Sequence, residues 1–321
     1  PEAPAELIVP AEVFGRADDG TRWHTVIGES AELEAIGAGD RPLLPRESPS
    51  RFSVEPSRTP ESWCELVEEA TKVMADGPLR KVVLAREVTV TADAPFDRTS
   101  VLERLRATYP GCHLYRVDGL VGASPELLVS RAGDIVRSHP MAGTAARGGD
   151  PSADARLAAS LLASTKDREE HQITIDMVHD TLLNWCSYVD YEAEPSIVPV
   201  ANVQHLATLV EGRLSQPAPS VLELVRALHP TPAVCGSPRD DALAFIRAHE
   251  GFDRGRYAGA VGWVDGSGNG SWAVSVRCAD LDGPVARLFA GNGIVADSDP
   301  ATELAETRAK LQAMLSALVR P

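Results

Sequence analysis

Four apolar runs, at 82–90, 257–264, 271–279 and 285–290, constrain the fold of this chain more than any other feature. Their length and alternation are those of β-strands. Several are joined by short Gly-rich turns, and a short turn joins antiparallel neighbours, because a parallel pair needs a crossover of about a dozen residues or more. Antiparallel sheet is therefore expected. Between the strands, helical periodicity predicts helices over 61–76, 98–109, 153–189, 219–228, 238–249 and 300–319. The last has a readable start: Asp299 can accept backbone N–H bonds as N-cap, and Pro300 suits the first helical position. The segment 40–60, with Pro42, Pro45, Pro49, Pro56 and Pro60, is expected to be an irregular surface crossing.

Nothing in the 321 residues reads as a linker, an internal repeat or a low-complexity tract, so a single domain over 1–321 is expected. The net charge is −15 and the cations are scattered, which disfavours a nucleic-acid backbone or an anionic membrane as partner. A small anionic substrate would need local cations or a bound metal to offset that field. Cys64, Cys112, Cys186, Cys235 and Cys278 form no CxxC pair and are expected to be free thiols. No signal-peptide pattern and no run of about 18 apolar residues occurs, so the expected location is cytoplasmic.

Glu303, Glu306 and Lys310 are spaced i, i+3 and i+7 and share one helix face. Asp167 and Glu170, three apart in Lys166-Asp167-Arg168-Glu169-Glu170-His171, share another. Four carboxylates facing each other would repel unless a hard dication lay between them, and Mg²⁺ takes such donors. Each pair alone is equally the pattern of a hydrated face. Gly291-Asn292-Gly293 follows an apolar strand and offers a sharp turn with N–H groups open to an anion, as does Ala142-Gly143-Thr144. Lys81 opens a strand-like run, where it is either a device guarding a strand edge or, among apolar neighbours, a base. Glu126, in Ser124-Pro125-Glu126-Leu127-Leu128, is either a strand-start carboxylate or, if desolvated, a general acid.

Taken together these segments resemble the chorismate-utilising enzymes, the family of isochorismate, salicylate, anthranilate and aminodeoxychorismate synthases. The resemblance lies in ordered blocks: KVVLAREV (81–88), SPELL (124–128), HPMAGT (139–144), KDREEH (166–171), HLAT (205–208), LHPTPAVCGSP (228–238), RYAGAVGW (256–263), SVR (275–277), AGNGI (290–294) and ELAETRAK (303–310). It implies an α+β fold, with antiparallel sheets sandwiched together, helices outside and a deep active site between the halves. It also implies Mg²⁺ held by Glu170 and Glu306, with Glu303 and Asp167 nearby. Asp167 departs from the Glu common at its position.

By the same resemblance the ring carboxylate of chorismate lies on the metal, near Gly143, Thr144 and Lys310, with His139 and Ala142 in the same block. Tyr257, Arg277 and the backbone N–H of Gly291 match positions that hold the pyruvyl carboxylate, and an Arg fork on a carboxylate is a strong contact. His205 matches a family histidine close to the substrate. Lys81 is typical of members that add water, whereas members that add ammonia carry Gln there and draw on a glutaminase; none is expected as a partner, and a monomer is expected.

The implied reaction is hydration of chorismate at C2 with loss of the C4 hydroxyl, Lys81 as base and Glu126 as acid, giving isochorismate. Salicylate synthases go on to eliminate pyruvate, and tend to carry Thr where this chain has Ala233. The methyl of Ala233 favours release of isochorismate, and the HPTPAVCG wording leans to siderophore-type relatives. A silent chorismate-binding subunit would need no base and acid pair, and a phosphotransferase would need a P-loop or kinase loop, which this chain lacks. The 80 residues ahead of Lys81 are few for the family.

Overall fold

The computed structural model describes residues 6–16, 19–26 and 49–319. The chain divides into two compact units, 1–46 and 47–321. In the first, β1 (Glu12–Arg16) and β2 (Arg22–Val26) pair antiparallel. The second begins with β3 (Phe52–Pro56), α1 (Pro60–Asp76), β4 (Lys81–Ala92), α2 (Arg98–Thr108), β5 (His113–Val117), β6 (Leu120–Ser124), β7 (Leu127–Ala132), β8 (Ile135–His139) and β9 (Met141–Ala146). It continues with α3 (Pro151–Ala163), α4 (Thr165–Leu183), β10 (Cys186–Tyr191), β11 (Ser196–Pro199), β12 (Val203–Ala207), β13 (Val210–Leu214), α5 (Val221–Leu228), β14 (Gly236–Ser237) and α6 (Arg239–His249). The last elements are β15 (Ala260–Val264), β16 (Gly270–Val274), β17 (Cys278–Asp282), β18 (Val285–Ile294) and α7 (Pro300–Val319).

Every strand pairing among the described residues is antiparallel, as expected. One sheet has the order β14-β4-β18-β17-β6-β5, with β3 also on β4; a second has the order β10-β13-β8-β7-β16-β15; a third, small sheet is β11-β12-β9. Strand β4 shows how the layers form. Its even residues Val82 and Leu84 enter a cluster with α1 and α6, and Val88 and Val90 one with α2 and α7. Its odd residue Ala85 joins Leu128, Val136 and Val274 of the second sheet in a shared core. Both faces of β4 are thus covered, which explains why its first eight residues are all buried.

Several boundaries differ from the sequence expectations. The helix predicted over 153–189 is two helices, because Ser164 is extended (φ −71, ψ 114) and its Oγ accepts the Asp167 N–H at 3.2 Å, capping α4; the chain is already in β10 at Cys186. The strand predicted over 271–279 is two strands in different sheets, divided where Arg277 takes φ +52. The strand predicted over 257–264 starts only at Ala260, since Tyr257 donates its N–H to Arg254 O in a turn and Ala258 has φ +63. The 40–60 segment contains β3; its residues 40–48 lie outside the described residues. Asp299 caps α7 as expected, accepting the Thr302 N–H at 2.8 Å. All five cysteines are free. No helix among the described residues is long and apolar enough to cross a membrane.

Candidate active site

A pocket opens where α4, α7, β4, β9, β12 and β18 converge. Its wall includes Glu126, Ala142, Gly143, Thr144, Glu170, His205, Ala233, Tyr257, Arg277, Gly291 and Lys310, all singled out in the sequence. Lys81, Asp167, Glu303 and Glu306 are not in that wall, but Lys81 contacts Glu170, Asp167 faces Gly143 and Glu306 contacts Lys310, which are. His139, half-buried at the end of β8, is not in it.

Lys81 is wholly buried at the start of β4, its Nζ 3.1 Å from Glu170 Oε1. The pattern repeats at the other carboxylates: Lys166 lies 2.7 Å from Glu303, and Lys310 lies 2.6 Å from Glu306. Asn292 holds this arrangement together, donating from Nδ2 to Glu303 Oε2 at 2.9 Å and accepting from Lys310 at 3.1 Å. Burial, then the neighbouring charge of Glu306, pushes the Glu303 pKa up. Asp167 is raised mainly by burial, with Glu170 and Glu306 adding to it. The four acids are therefore close enough to feel one another. The sequence blocks 166–171 and 290–294 contain Lys166 and Asn292 but assign no role to either side chain.

Among the described residues no three His, Cys, Asp or Glu side chains stand ready around one point as a metal cage, and Glu170, Glu303 and Glu306 are each paired with a lysine. The donor chemistry nonetheless fits a hard cation: carboxylate oxygens from two helices, and a backbone shaped to admit one of them. A Cβ on Gly293 would lie 2.1 Å from Glu170 Oε1. That contact corrects the reading of Gly291-Asn292-Gly293 as a turn. The three residues run inside β18, opposite Ala85, Leu84 and Val83, and the glycines leave room for the Glu170 carboxylate and for the Tyr257 hydroxyl, 2.9 Å from a Cβ on Gly291. Gly143 does depart from regular strand, with φ +72 at an irregularity in the β9–β12 register, and its missing side chain faces Asp167.

Glu126 follows β6 and is 6 % exposed. Burial raises its pKa to about 7, against the opposing pull of Lys81, a hydrogen bond from the Met141 backbone, Arg277 and Lys310. Arg277 points a buried Nε–H without a hydrogen-bond partner, as a carboxylate fork would use. Tyr257, stacked on Phe289 at 5.1 Å, completes that end of the pocket.

The family described as chorismate binding enzyme matches residues 16–319. The chain belongs to that family. It is 38 % identical to the isochorismate synthase DhbC of Bacillus subtilis over 325 residues, covering 98 % of this chain and 77 % of that protein. It is 39 % identical to the isochorismate synthase MenF of the same organism over 328 residues, covering 98 % and 69 %. The solved structure of MenF, the menaquinone-specific isochorismate synthase of Escherichia coli, superposes with a TM-score of 0.78 at 30 % identity, covering 86 % of this chain and 65 % of that one. The α+β fold expected from the motif blocks is therefore the fold of the chain.

Proposed function

We propose that this chain is an isomerase, an isochorismate synthase: it adds water to C2 of chorismate and expels the C4 hydroxyl. The observation that carries the mechanism is Glu126, a buried carboxyl with a pKa of about 7 in the wall of the same pocket as Glu170, which the buried Lys81 contacts at 3.1 Å. A carboxyl held protonated near neutrality can give its proton to a departing hydroxyl, which leaves as water. Lys81 takes the proton from the attacking water in its free-amine form and becomes the ammonium that pairs with Glu170. One water enters and one leaves, so the net change is an isomerisation.

The substrate is a dianion in a chain of net charge −15, and the pocket answers that locally. Arg277 and Tyr257 receive the pyruvyl carboxylate, together with the backbone at Gly291. Lys310, Gly143 and Thr144 face the ring carboxylate. Glu170 and Glu306, with Glu303 and Asp167 behind them, are the residues that would hold Mg²⁺. What the ion supplies when bound is positive charge at the ring carboxylate, which draws electron density from the ring. Water rather than ammonia is the nucleophile in this reading, so no glutaminase is required.

Ala233 lies in the pocket wall and presents a methyl with no hydrogen-bonding capacity. It supports release of isochorismate over pyruvate elimination. Chromatography of the products after incubation with chorismate and Mg²⁺ tests the proposal; isochorismate is expected, and salicylate with pyruvate, or no turnover, overturns it.

A further inference from the structure

We infer that the Glu250–Arg254 ion pair is a positioning pair that fixes Tyr257 and the Ala233–Val234 wall against β4, an inference that rests on the chorismate-binding reading above. Neither residue touches the pocket. Glu250 is 4 % exposed at the C-terminal end of α6. Its Oε1 accepts the Ala85 N–H at 2.8 Å, which anchors it to β4. Its Oε2 accepts Arg254 Nε at 2.7 Å, and Arg254 Nη2 also reaches Oε1. With the fork so oriented, Arg254 Nη1 donates to the Val234 carbonyl at 2.9 Å and Nη2 to the Val83 carbonyl at 2.8 Å.

The same guanidinium lies 5.8 Å from the Tyr257 ring centroid, and the Arg254 carbonyl accepts the Tyr257 N–H at 2.9 Å. Val83, Val234 and Tyr257 come from three different parts of the chain and all line the pocket. One planar group thus spans three walls. A buried ion pair contributes little net stability compared with an apolar replacement, because desolvation offsets the attraction, so stability gives a weak account of this pair. Geometry gives a better one: only a guanidinium has enough fixed donors to hold a carboxylate and two carbonyls together while stacking near a ring, and a lysine in its place keeps the charge and loses the span. The consequence falls on the substrate carboxylate that Tyr257 receives, and on the spacing of Ala233 from the ring.

The test is a double-mutant cycle of Arg254→Lys with Tyr257→Phe, read in chorismate Kd by calorimetry, in KM and kcat, and in Tm. Arg254→Lys is expected to raise KM and Kd about tenfold with kcat within about threefold, and the double variant to lose less than the product of the two single losses. Glu250→Gln, which keeps the shape of the side chain, is expected to couple to Tyr257→Phe in the same sense and carries the test if the lysine variant does not fold. Losses that multiply, or a lower Tm with KM and Kd unchanged, overturn the inference. The wild-type lane separates the two proposals: a wild-type protein that does not turn chorismate over contradicts the reaction, whereas an active one with multiplying losses contradicts the positioning role.

Discussion

Nη2 of Arg277 lies 3.0 Å from Nε2 of His205. A guanidinium has no acceptor, so Nε2 accepts and the imidazole proton sits on Nδ1, facing the Gly143 carbonyl at 3.2 Å and the Thr144 hydroxyl at 3.1 Å. Burial, followed by the charges of Arg277 and Lys310, holds His205 neutral with a pKa well below the usual value. We propose that His205, expected from the sequence to be catalytic, instead orients Arg277 through this bond. Its ¹⁵N resonances are expected to stay those of a neutral imidazole as pH falls through the usual histidine value of about 6.5. His205→Ala is expected to raise KM about 10- to 100-fold, as for a lost hydrogen bond to a charged group. A resonance titrating near 6.5 contradicts this account.

Glu126 must be protonated to act as the acid, and burial holds its pKa at about 7. The sign follows for this group: the share of kcat that depends on protonated Glu126 falls as pH rises through that value. Glu126→Gln is expected to lower kcat about 10²- to 10⁴-fold with chorismate still bound. A pH-kcat profile that is flat across neutrality, or an active Gln variant, removes Glu126 from the role.

Gly293→Ala places a Cβ 2.1 Å from Glu170 Oε1, so the carboxylate has to move. The expected result is a chain that folds, with the Mg²⁺ concentration for half-maximal activity raised about tenfold or more, reflecting ≥ ~1.4 kcal/mol lost at the ion. An unchanged Mg²⁺ titration contradicts the assignment of Glu170.

The legible part of this molecule was the part that sequence-local rules govern. The strand character of the apolar run in β4 and the Asp299-Pro300 start of α7 need only neighbours a few residues away. Ser164 was invisible as a break because a serine inside a helical pattern looks the same whether its hydroxyl caps or not. The fold of 271–279 into two strands depends on the positive φ of Arg277, which no residue type at that position advertises. The Lys81–Glu170 and Lys166–Glu303 pairs join residues 89 and 137 positions apart, so the acids could be listed from helix spacing while their counter-charges could not.

His171 is 1 % exposed, with Nε2 2.8 Å from the Thr208 hydroxyl. Burial first, then Lys81, lowers its pKa to about 3, below an unfolded value of about 6.5. The unfolded chain therefore binds the proton first, and the stability from neutral His171 is present above about 6.5 and lost as pH falls toward 3. Denaturant titrations at pH 7 and pH 5 are expected to differ by about 2 kcal/mol from this residue. His171→Gln should remove that share of the difference; an equal pH dependence in the variant contradicts it.

The most direct test of water as the nucleophile is to run the reaction in H₂¹⁸O and read the product by mass spectrometry. The mechanism built on Lys81 and Glu126 requires isochorismate that carries ¹⁸O in its C2 hydroxyl. Isochorismate formed with no label at C2 would contradict it.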